Sequence, residues 1–373
     1  MEKENSNAIR DKARGMLAGL AVGDALGAPV EFGYTSQDIS DLGDKVGHYQ
    51  DSPMGPAGAW TDDTSMALCL ADSLLECGGY DSYDIMDRFY KWMTEGYRTY
   101  DGKPAGDVGI QTMKSLTLFH RDPILHKGSK KTDSAGNGAI MRLAPVVLAG
   151  LHQSTIGWGS HKCIMEMTEF SCRETHDSDM ALEVTADFAS ILALSFVGAP
   201  FCYMDIVTLL EHSPAYFRHG VHHEEIVQRM YLAMDSRDGE ELKDKGGYIL
   251  DAFTIALWGV IHSRSFEEGM LRVIQLGGDT DTNAAIYGQL AGSRYGYERI
   301  PEEWRKNVYN AEELVDLADR LLDMRCQVIR TRFEDDKDFE DINTGERPNG
   351  SKRNYDDPIS IADLLKRNKN TKT

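Results

Sequence analysis

The amino-acid sequence predicts an all-α fold, and three features of its 373 residues support that prediction. Apolar residues recur with the 3.6-residue period of an amphipathic helix along most of the chain. Residues that favour helix ends, such as Thr61 and the pair Gly78-Gly79, bracket these stretches. No convincing run of residues alternates with the two-residue period of a strand.

The first predicted helix starts near Ile9, and its apolar stripe continues to Leu20. Glycine recurs at every fourth position of the same segment, at Gly15, Gly19, Gly23 and Gly27. Each glycine disfavours a helix by about 1 kcal/mol relative to alanine. Four glycines on one slowly drifting face therefore predict close packing of the backbone against a neighbouring helix, with close approach to a ligand as the alternative.

Later helices follow from capping residues and apolar stripes. A second helix is predicted to start at the N-cap Thr61 and to end at Gly78-Gly79. Segment 250–261 is apolar nearly all round and should lie at the centre of the fold. The Ser265-Glu268 pair forms a capping box. Other helices are predicted at 83–94, 108–118, 180–196 and 226–234, with further starts at Pro301 and Asn310.

Composition limits the possible partners and the location of the protein. The chain has 40 basic and 60 acidic residues, a net charge of -20, which disfavours binding to a nucleic-acid polymer. The charged N-terminus lacks the apolar core of a signal peptide. The most apolar segment, 15–30, is too short to span a membrane and contains Asp24. Six dispersed cysteines form no CxxC pair. We expect a soluble cytoplasmic protein without membrane association.

The composition changes near residue 330 and predicts two regions. Residues 1–330 carry the helical pattern, whereas 331–373 are polar and include the acidic run 334–338. A segment this polar cannot bury enough apolar surface to fold alone. Within this tail we expect a short docking helix, whose apolar stripe is Ile359, Ile361, Leu364 and Leu365.

Two short segments, 60–65 and 276–283, concentrate carboxylates and hydroxyls directly before predicted helices. Either segment alone is explained by helix capping. Together, oxygen-only clusters without His or Cys suit hard cations such as Mg²⁺, Mn²⁺ or Ca²⁺. An EF-hand is rejected because Ala284 and Leu290 occupy the positions that need glycine and a bidentate acid. A dinucleotide fingerprint at Gly136 is rejected because Met141 replaces its third glycine.

Seven motifs occur in an order that resembles one family. They are 15–19 with 23–27, Glu31, 60–64, 107–109, 136–142 with Thr175-His176, 276–282 and 287–292. From about Arg10 to Val328 the chain resembles the ADP-ribosylglycohydrolase family, also called the dinitrogenase-reductase-activating glycohydrolase family. The resemblance implies an orthogonal all-α bundle with two Mg²⁺ or Mn²⁺ ions at the bottom of an ADP-ribose cleft, and makes 1–330 the catalytic domain.

The resemblance also implies a set of site residues. The implied metal ligands are Thr61, Asp62, Asp63, Asp279, Asp281 and Thr282. The implied catalytic acids are Glu31, Asp62 and Asp107, without a fixed division of roles. The implied substrate-binding residues are Ser134, Gly136, Asn137, Gly138, Met141 and His176. Asp24 is interpreted as structural. Without the family, Asp107 would be a good helix N-cap and His176 an interior histidine.

The implied function is a metal-dependent hydrolase that removes ADP-ribose from modified protein side chains, with arginine as the favoured acceptor. Its expected partner is an ADP-ribosylated protein. Because some bacterial relatives counter ADP-ribosylating toxins, a toxin is a further candidate partner. Two alternatives stay open: a non-catalytic protein that binds ADP-ribose or a partner, and a phosphohydrolase that uses the same metal pair to cut the diphosphate.

Overall fold

The predicted all-α class is confirmed by a computed structural model, which describes residues 2–123, 135–151, 158–196, 221–324 and 328–330. Within these ranges the chain forms fourteen α-helices. They are α1 Glu2–Gly27, α2 Ser36–Asp41, α3 Asp62–Cys77, α4 Ser82–Glu95, α5 Ile110–Arg121, α6 Ala144–Gly150, α7 Trp158–Arg173, α8 Asp179–Phe196, α9 His223–Asp235, α10 Ile249–Ile261, α11 Phe266–Ile274, α12 Thr280–Tyr295, α13 Glu302–Asn307 and α14 Ala311–Asp323.

Helices α1 and α12 pack along the glycine series, as the periodicity predicts. A Cβ atom added to Gly19 would lie 2.3 Å from the Gly288 carbonyl oxygen, and one added to Gly23 would lie 2.1 Å from that of Ala284. Any side chain at these positions would force the two backbones apart. At the end of the seam, a Cβ on Gly27 would lie 2.5 Å from the Asp281 Cα. The close packing of the two helices therefore places the C-terminus of α1 next to the start of α12.

Helix α10 is the central helix that its apolar composition predicts. Its residues from Ile249 to Val260 are buried except for Asp251. At its C-terminal half, a Cβ on Gly259 would lie 2.7 Å from the Tyr287 ring of α12, so these two helices are also in close contact. Helix α12 is thus packed between α1 and α10, and this packing fixes the position of its N-terminus.

The prediction of helices without strands is wrong in one detail. Strands β1, Gly79–Asp81, and β2, Val328–Arg330, form a parallel pair, with Tyr80 opposite Ile329. Three residues are too few to show a two-residue period, and the partners are separated by almost the whole chain. The pairing joins residues 328–330 to the turn between α3 and α4.

Helix starts are predicted more accurately in position than in the side chain that does the capping. Helix α3 follows Thr61, but the Thr61 side chain makes no capping hydrogen bond. Ser265 does accept from the Glu268 N–H, whereas the Glu268 carboxylate accepts from the Arg264 N–H. Helices α2, α6 and α7 are not predicted. Helix α6 has seven residues that are all buried, so it has no polar face to reveal a helical period.

No helix within the described ranges is long and apolar enough to cross a membrane. The predicted tail 331–373, with its proposed docking stripe, lies outside the described residues, as does Ser134. Its separation from 1–330 stays a prediction.

Candidate metal centre and cleft

The two oxygen-rich segments meet in space, although more than 200 residues separate them. The Thr61 Oγ1 lies 3.3 Å from Asp63 Oδ2 and 3.4 Å from Asp281 Oδ2. From the other segment, the Thr282 hydroxyl lies 3.4 Å from Asp63 Oδ2. The meeting point is where the N-termini of α3 and α12 converge, so both helix dipoles present their positive ends to these carboxylates.

Five carboxylates contribute to the centre in two overlapping groups. Oxygens of Asp24, Asp63 and Asp281 lie within 4.8 Å of one another, and so do oxygens of Glu31, Asp279 and Asp281. The four aspartates are buried and Glu31 is partly exposed. Asp281 belongs to both groups, so the geometry provides two adjacent places for a cation with oxygen ligands.

The chemistry of the centre fits a divalent metal ion. Asp63 Oδ1 is buried and has no hydrogen-bond partner among the described residues. Burial, followed by repulsion from Asp24 and Asp62, raises the pKa of Asp63 well above its usual range. Burial and the neighbouring Asp279 raise the pKa of Glu31 to about 7. A bound cation would relieve this repulsion and occupy the unpartnered oxygen.

Asp24 is the one member of the centre that the sequence does not place there. Its carboxylate accepts hydrogen bonds from the Thr61 N–H at 2.9 Å, the Thr61 hydroxyl at 2.8 Å, the Thr64 N–H at 3.0 Å and the Thr64 hydroxyl at 2.6 Å. It therefore fixes the first turn of α3, which agrees with the structural interpretation of Asp24. The signal in the sequence is its position as the single charged residue of the apolar segment 15–30.

Of the two acids implied beside the metal, Glu31 is one of the five carboxylates of the centre and Asp107 lies next to them. The Phe32 N–H donates to the Gly278 carbonyl at 2.9 Å, which ties the Glu31 segment to the second metal motif. The Asp107 carboxylate accepts from the Asp62 backbone N–H, and burial raises its pKa. The N-cap of α5 is Gly109, so the interpretation of Asp107 as a helix cap is wrong. Asp62 as a whole residue is partly exposed, but its carboxyl group is buried, and this burial raises the pKa of Asp62 well above the usual range.

The glycine pair Gly277-Gly278 before Asp279 allows a close backbone approach. Gly277 and Gly278 have φ values of 75° and 80°, which favour glycine. A Cβ on Gly278 would lie 2.0 Å from the Lys245 carbonyl oxygen. The same carbonyl accepts from the Asp279 N–H at 2.9 Å, so the turn fixes Asp279 at the start of α12.

The loop 136–141 connects the centre to His176. The Asn137 side-chain amide donates to Asp279 Oδ2 at 2.8 Å. A Cβ on Gly138 would lie 2.7 Å from the His176 ring, so the ring packs directly on the loop. Met141 is buried at the end of the loop. Asn137 therefore contacts the carboxylate cluster, and Gly136 and Gly138 contact His176.

The geometry thus defines an all-α protein with a largely buried cluster of carboxylates that could hold a cation, next to a glycine-containing loop that packs on a histidine. Comparison with known proteins identifies it further: the chain belongs to the ADP-ribosylglycohydrolase family, whose sequence model matches residues 5–329. It is accordingly a hydrolase of the glycosidase type, as the sequence predicts.

Three relatives illustrate the relationship. The chain is 33% identical to the ADP-ribosylarginine hydrolase Tri1 of Pseudomonas putida (strain GB-1), over 85% of this chain and 80% of that protein. It is 28% identical to the ADP-ribosyl-[dinitrogen reductase] glycohydrolase of Rhodospirillum rubrum, over 79% and 90%. A solved structure described as an ADP-ribosylglycohydrolase-related protein complex matches with a TM-score of 0.66 and 34% identity, covering 85% of this chain and 100% of that one.

Proposed function

We propose that the protein hydrolyses the glycosidic bond between ADP-ribose and a modified arginine side chain, with two Mg²⁺ or Mn²⁺ ions in the carboxylate centre. The proposal is carried by one observation: in a member of this family, two clusters of three acidic residues lie side by side and have Asp281 in common. The choice of arginine is supported by the name of the Pseudomonas putida relative and by Asp107, an acid beside the centre.

In this proposal each residue of the site has a role that follows from its position. Thr61, Asp62, Asp63, Asp279, Asp281 and Thr282 hold the metal ions. When bound, divalent ions orient the ribose hydroxyls and acidify water. The partly exposed Glu31, or Asp62, accepts a proton from the attacking water and returns it to the leaving nitrogen. Asp107 attracts the guanidinium group. Water adds across the C–N bond, and the products are free ADP-ribose and unmodified arginine.

The raised pKa of Glu31 supports its role in proton transfer. A carboxyl with a pKa of about 7 can both take up and release a proton at neutral pH. Its pKa is raised by burial and by the acids around it, so it will change when a cation neutralises them. Glu31→Gln should therefore abolish turnover while Mn²⁺ still binds, whereas loss of Mn²⁺ binding would assign Glu31 as a ligand.

The decisive experiment supplies peptides that carry ADP-ribose on arginine, serine or cysteine, with Mg²⁺, with Mn²⁺ and with chelator. We expect metal-dependent release of ADP-ribose, fastest from arginine. AMP and ribose phosphate as products would identify a phosphohydrolase instead. Faster release from serine would overturn the arginine assignment. Asp281→Ala is the inactive reference, and Glu224→Ala, an exposed acid at the start of α9, is the matched control.

At the level of the cell, we propose an ADP-ribosylated protein as the partner and an ADP-ribosylating toxin as the source of the modification. A relative in Serratia proteamaculans is also named ADP-ribosylarginine hydrolase Tri1. The test is whether the protein restores the unmodified form of a target treated with an arginine-specific ADP-ribosylating toxin. Hydrolysis of small substrates without any action on a modified protein would contradict this partner.

A further inference from the structure

We propose that Arg142 and Thr175 hold His176 as the tautomer that carries its hydrogen on Nε2, and that they thereby position a neutral donor for ADP-ribose. The ligand in this inference rests on the proposed function, whereas the tautomer rests on the hydrogen bonds alone. Arg142 and Thr175 are positioning residues in this arrangement, since they act only through His176.

The three side chains form a buried series of hydrogen bonds. Arg142 Nη2 lies 2.7 Å from Thr175 Oγ1, and Thr175 Oγ1 lies 2.7 Å from His176 Nδ1. Arg142 and Thr175 have no exposed surface, and His176 keeps only 3%. At this burial, water does not compete for these contacts, so the direction of each hydrogen bond follows from the donors available.

The direction of the series is fixed at the arginine end. A guanidinium group can only donate, so Thr175 Oγ1 is the acceptor of the first bond. The oxygen has a second lone pair, but the hydroxyl hydrogen has only one acceptor within the described ranges, His176 Nδ1, so we assign the second bond as donation from Thr175 to Nδ1. Nδ1 therefore uses its lone pair as an acceptor, and the ring hydrogen is on Nε2.

Arg142 is held in place by contacts that leave its charge unbalanced. Its Nη2 also donates to the Ser171 carbonyl at 3.2 Å, and its guanidinium lies 4.7 Å from the centre of the Phe89 ring. No carboxylate in the described ranges forms an ion pair with it. Burial, followed by this nearby positive charge, lowers the pKa of His176 to about 3. His176 is therefore a neutral donor and takes no part in proton transfer.

The Nε2 edge of the ring faces the glycine loop. A Cβ added to Gly136 would lie 3.1 Å from Nε2, and one added to Gly138 would lie 3.3 Å from it. Nε2 has no hydrogen-bond acceptor within the described part of the chain. Between these glycines, Asn137 reaches the proposed metal ligand Asp279. A donor next to the metal centre suits ADP-ribose, whose ribose and diphosphate oxygens are acceptors.

The first test reads the tautomer in the unliganded wild-type protein. Two-bond ¹H–¹⁵N correlation spectra distinguish the histidine tautomers, and a His176→Asn sample identifies the signals of His176 among the 11 histidines. We expect hydrogen on Nε2 only. Hydrogen on Nδ1 would overturn the proposal whether or not the protein is a hydrolase.

The second test removes the central hydroxyl while keeping the shape of the side chain. In Thr175→Val we expect a mixture of tautomers and an affinity for ADP-ribose lower by about tenfold. Thr175→Ser should restore both. Calorimetry with Mn²⁺ should give the same metal affinity in all three proteins, because none of the changes touches a ligand.

Ser115→Ala is the matched control, since the Ser115 hydroxyl donates to the backbone carbonyl of Thr175 at 3.2 Å and not to the series. It should leave tautomer and affinity unchanged. An unaltered spectrum and affinity in Thr175→Val would overturn the positioning role. A wild-type protein that binds no ADP-ribose would overturn the ligand and the proposed function, while the spectrum would still decide the tautomer.

Discussion

Asp24 and Asp63 belong to the same cluster of three aspartates and are both fully buried. They differ in the hydrogen-bond donors that surround them. Asp24 accepts four hydrogen bonds from Thr61 and Thr64, whereas Oδ1 of Asp63 has no partner in the described part of the chain. Burial and residue type therefore do not distinguish the structural Asp24 from Asp63, the proposed metal ligand. The two side chains differ in the supply of hydrogen-bond donors, since Asp63 has only the Thr61 and Thr282 hydroxyls near its Oδ2.

The difference follows from where each side chain lies relative to α3. Asp24 is on α1 and faces the first turn of α3, whose N–H groups have no partners within their own helix. Asp63 belongs to that turn and points away from it, towards Asp281. Burial raises the pKa of Asp24 only to about 6, because the Thr64 and Thr61 bonds stabilise its charged form. For Asp63, the proposed cation would supply that stabilisation.

The largest effect should come from Asp63→Asn. This change removes a negative charge from the centre without altering its shape. We expect metal affinity and turnover to fall more than about 100-fold, since residues that merely support a metal ligand account for 10–100-fold. The metal-free protein should be no less stable, because like charges no longer repel.

Isothermal titration with Mn²⁺ and a denaturant titration without metal measure the two quantities for Asp63→Asn. Asp44→Asn, at an exposed acid outside the centre, is the control and should behave as wild type. If Asp63→Asn kept its metal affinity but lost stability, Asp63 would be a structural residue like Asp24, and the proposed difference between the two would be wrong.

Asp24→Asn should show the reverse pattern. An amide has one acceptor oxygen, so donors from Thr61 or Thr64 lose their partner and meet an NH₂ group instead. We expect a loss of about 3 kcal/mol in the free energy of unfolding of the metal-free protein. Denaturant titration measures it, and a loss below about 1 kcal/mol would show that these bonds do not hold α3 in place.

The sequence predicts the elements of this comparison better than their arrangement. The glycine series from Gly15 to Gly27 predicts the packing of α1 because glycine spacing is a local property of a helix. The oxygen-rich segments predict a cation site because the residue types limit the ligand chemistry. The position of Asp24 among the proposed ligands depends on how α1 crosses α3, and no local pattern in the sequence contains that information.

The same reasoning explains the other differences. Thr61 has the right position for an N-cap, but the Asp24 carboxylate accepts from the Thr64 N–H in its place. The β1–β2 pair joins residues separated by almost the whole chain, so it leaves no local trace. Roles for the acids within the site stay predictions, because they depend on bound metal and substrate.

Metal and pH should act together on stability. In the metal-free protein the pKa values of Asp24 and Glu31 are raised, to about 6 and about 7, so the folded state binds more protons than the unfolded chain above pH 4. Their stabilising contribution is present in acid and is lost as pH rises through 6 to 7. Thermal unfolding should therefore occur at a lower temperature at pH 8 than at pH 5.

Mn²⁺ at one hundred times its Kd should restore about 2.7 kcal/mol at pH 8. In Asp63→Asn the fall between pH 5 and pH 8 should be smaller, because one of the repelling acids is absent. If the metal-free wild type were more stable at pH 8 than at pH 5, repulsion among these carboxylates would not control how its stability varies with pH.

The smallest expected difference between supporting α3 and binding metal concerns Thr61 and Thr64, which both donate to Asp24. Only Thr61 also lies beside Asp63 and Asp281, at 3.3 and 3.4 Å. Thr64→Val removes one hydrogen bond and should lower the free energy of unfolding by about 1 kcal/mol, with metal affinity within about threefold of wild type. Thr61→Val should cost a similar amount of stability and also weaken Mn²⁺ binding by about 10–100-fold. Both measurements on both variants decide the matter: equal metal affinities would place Thr61 with Asp24, as part of the support and not as a ligand.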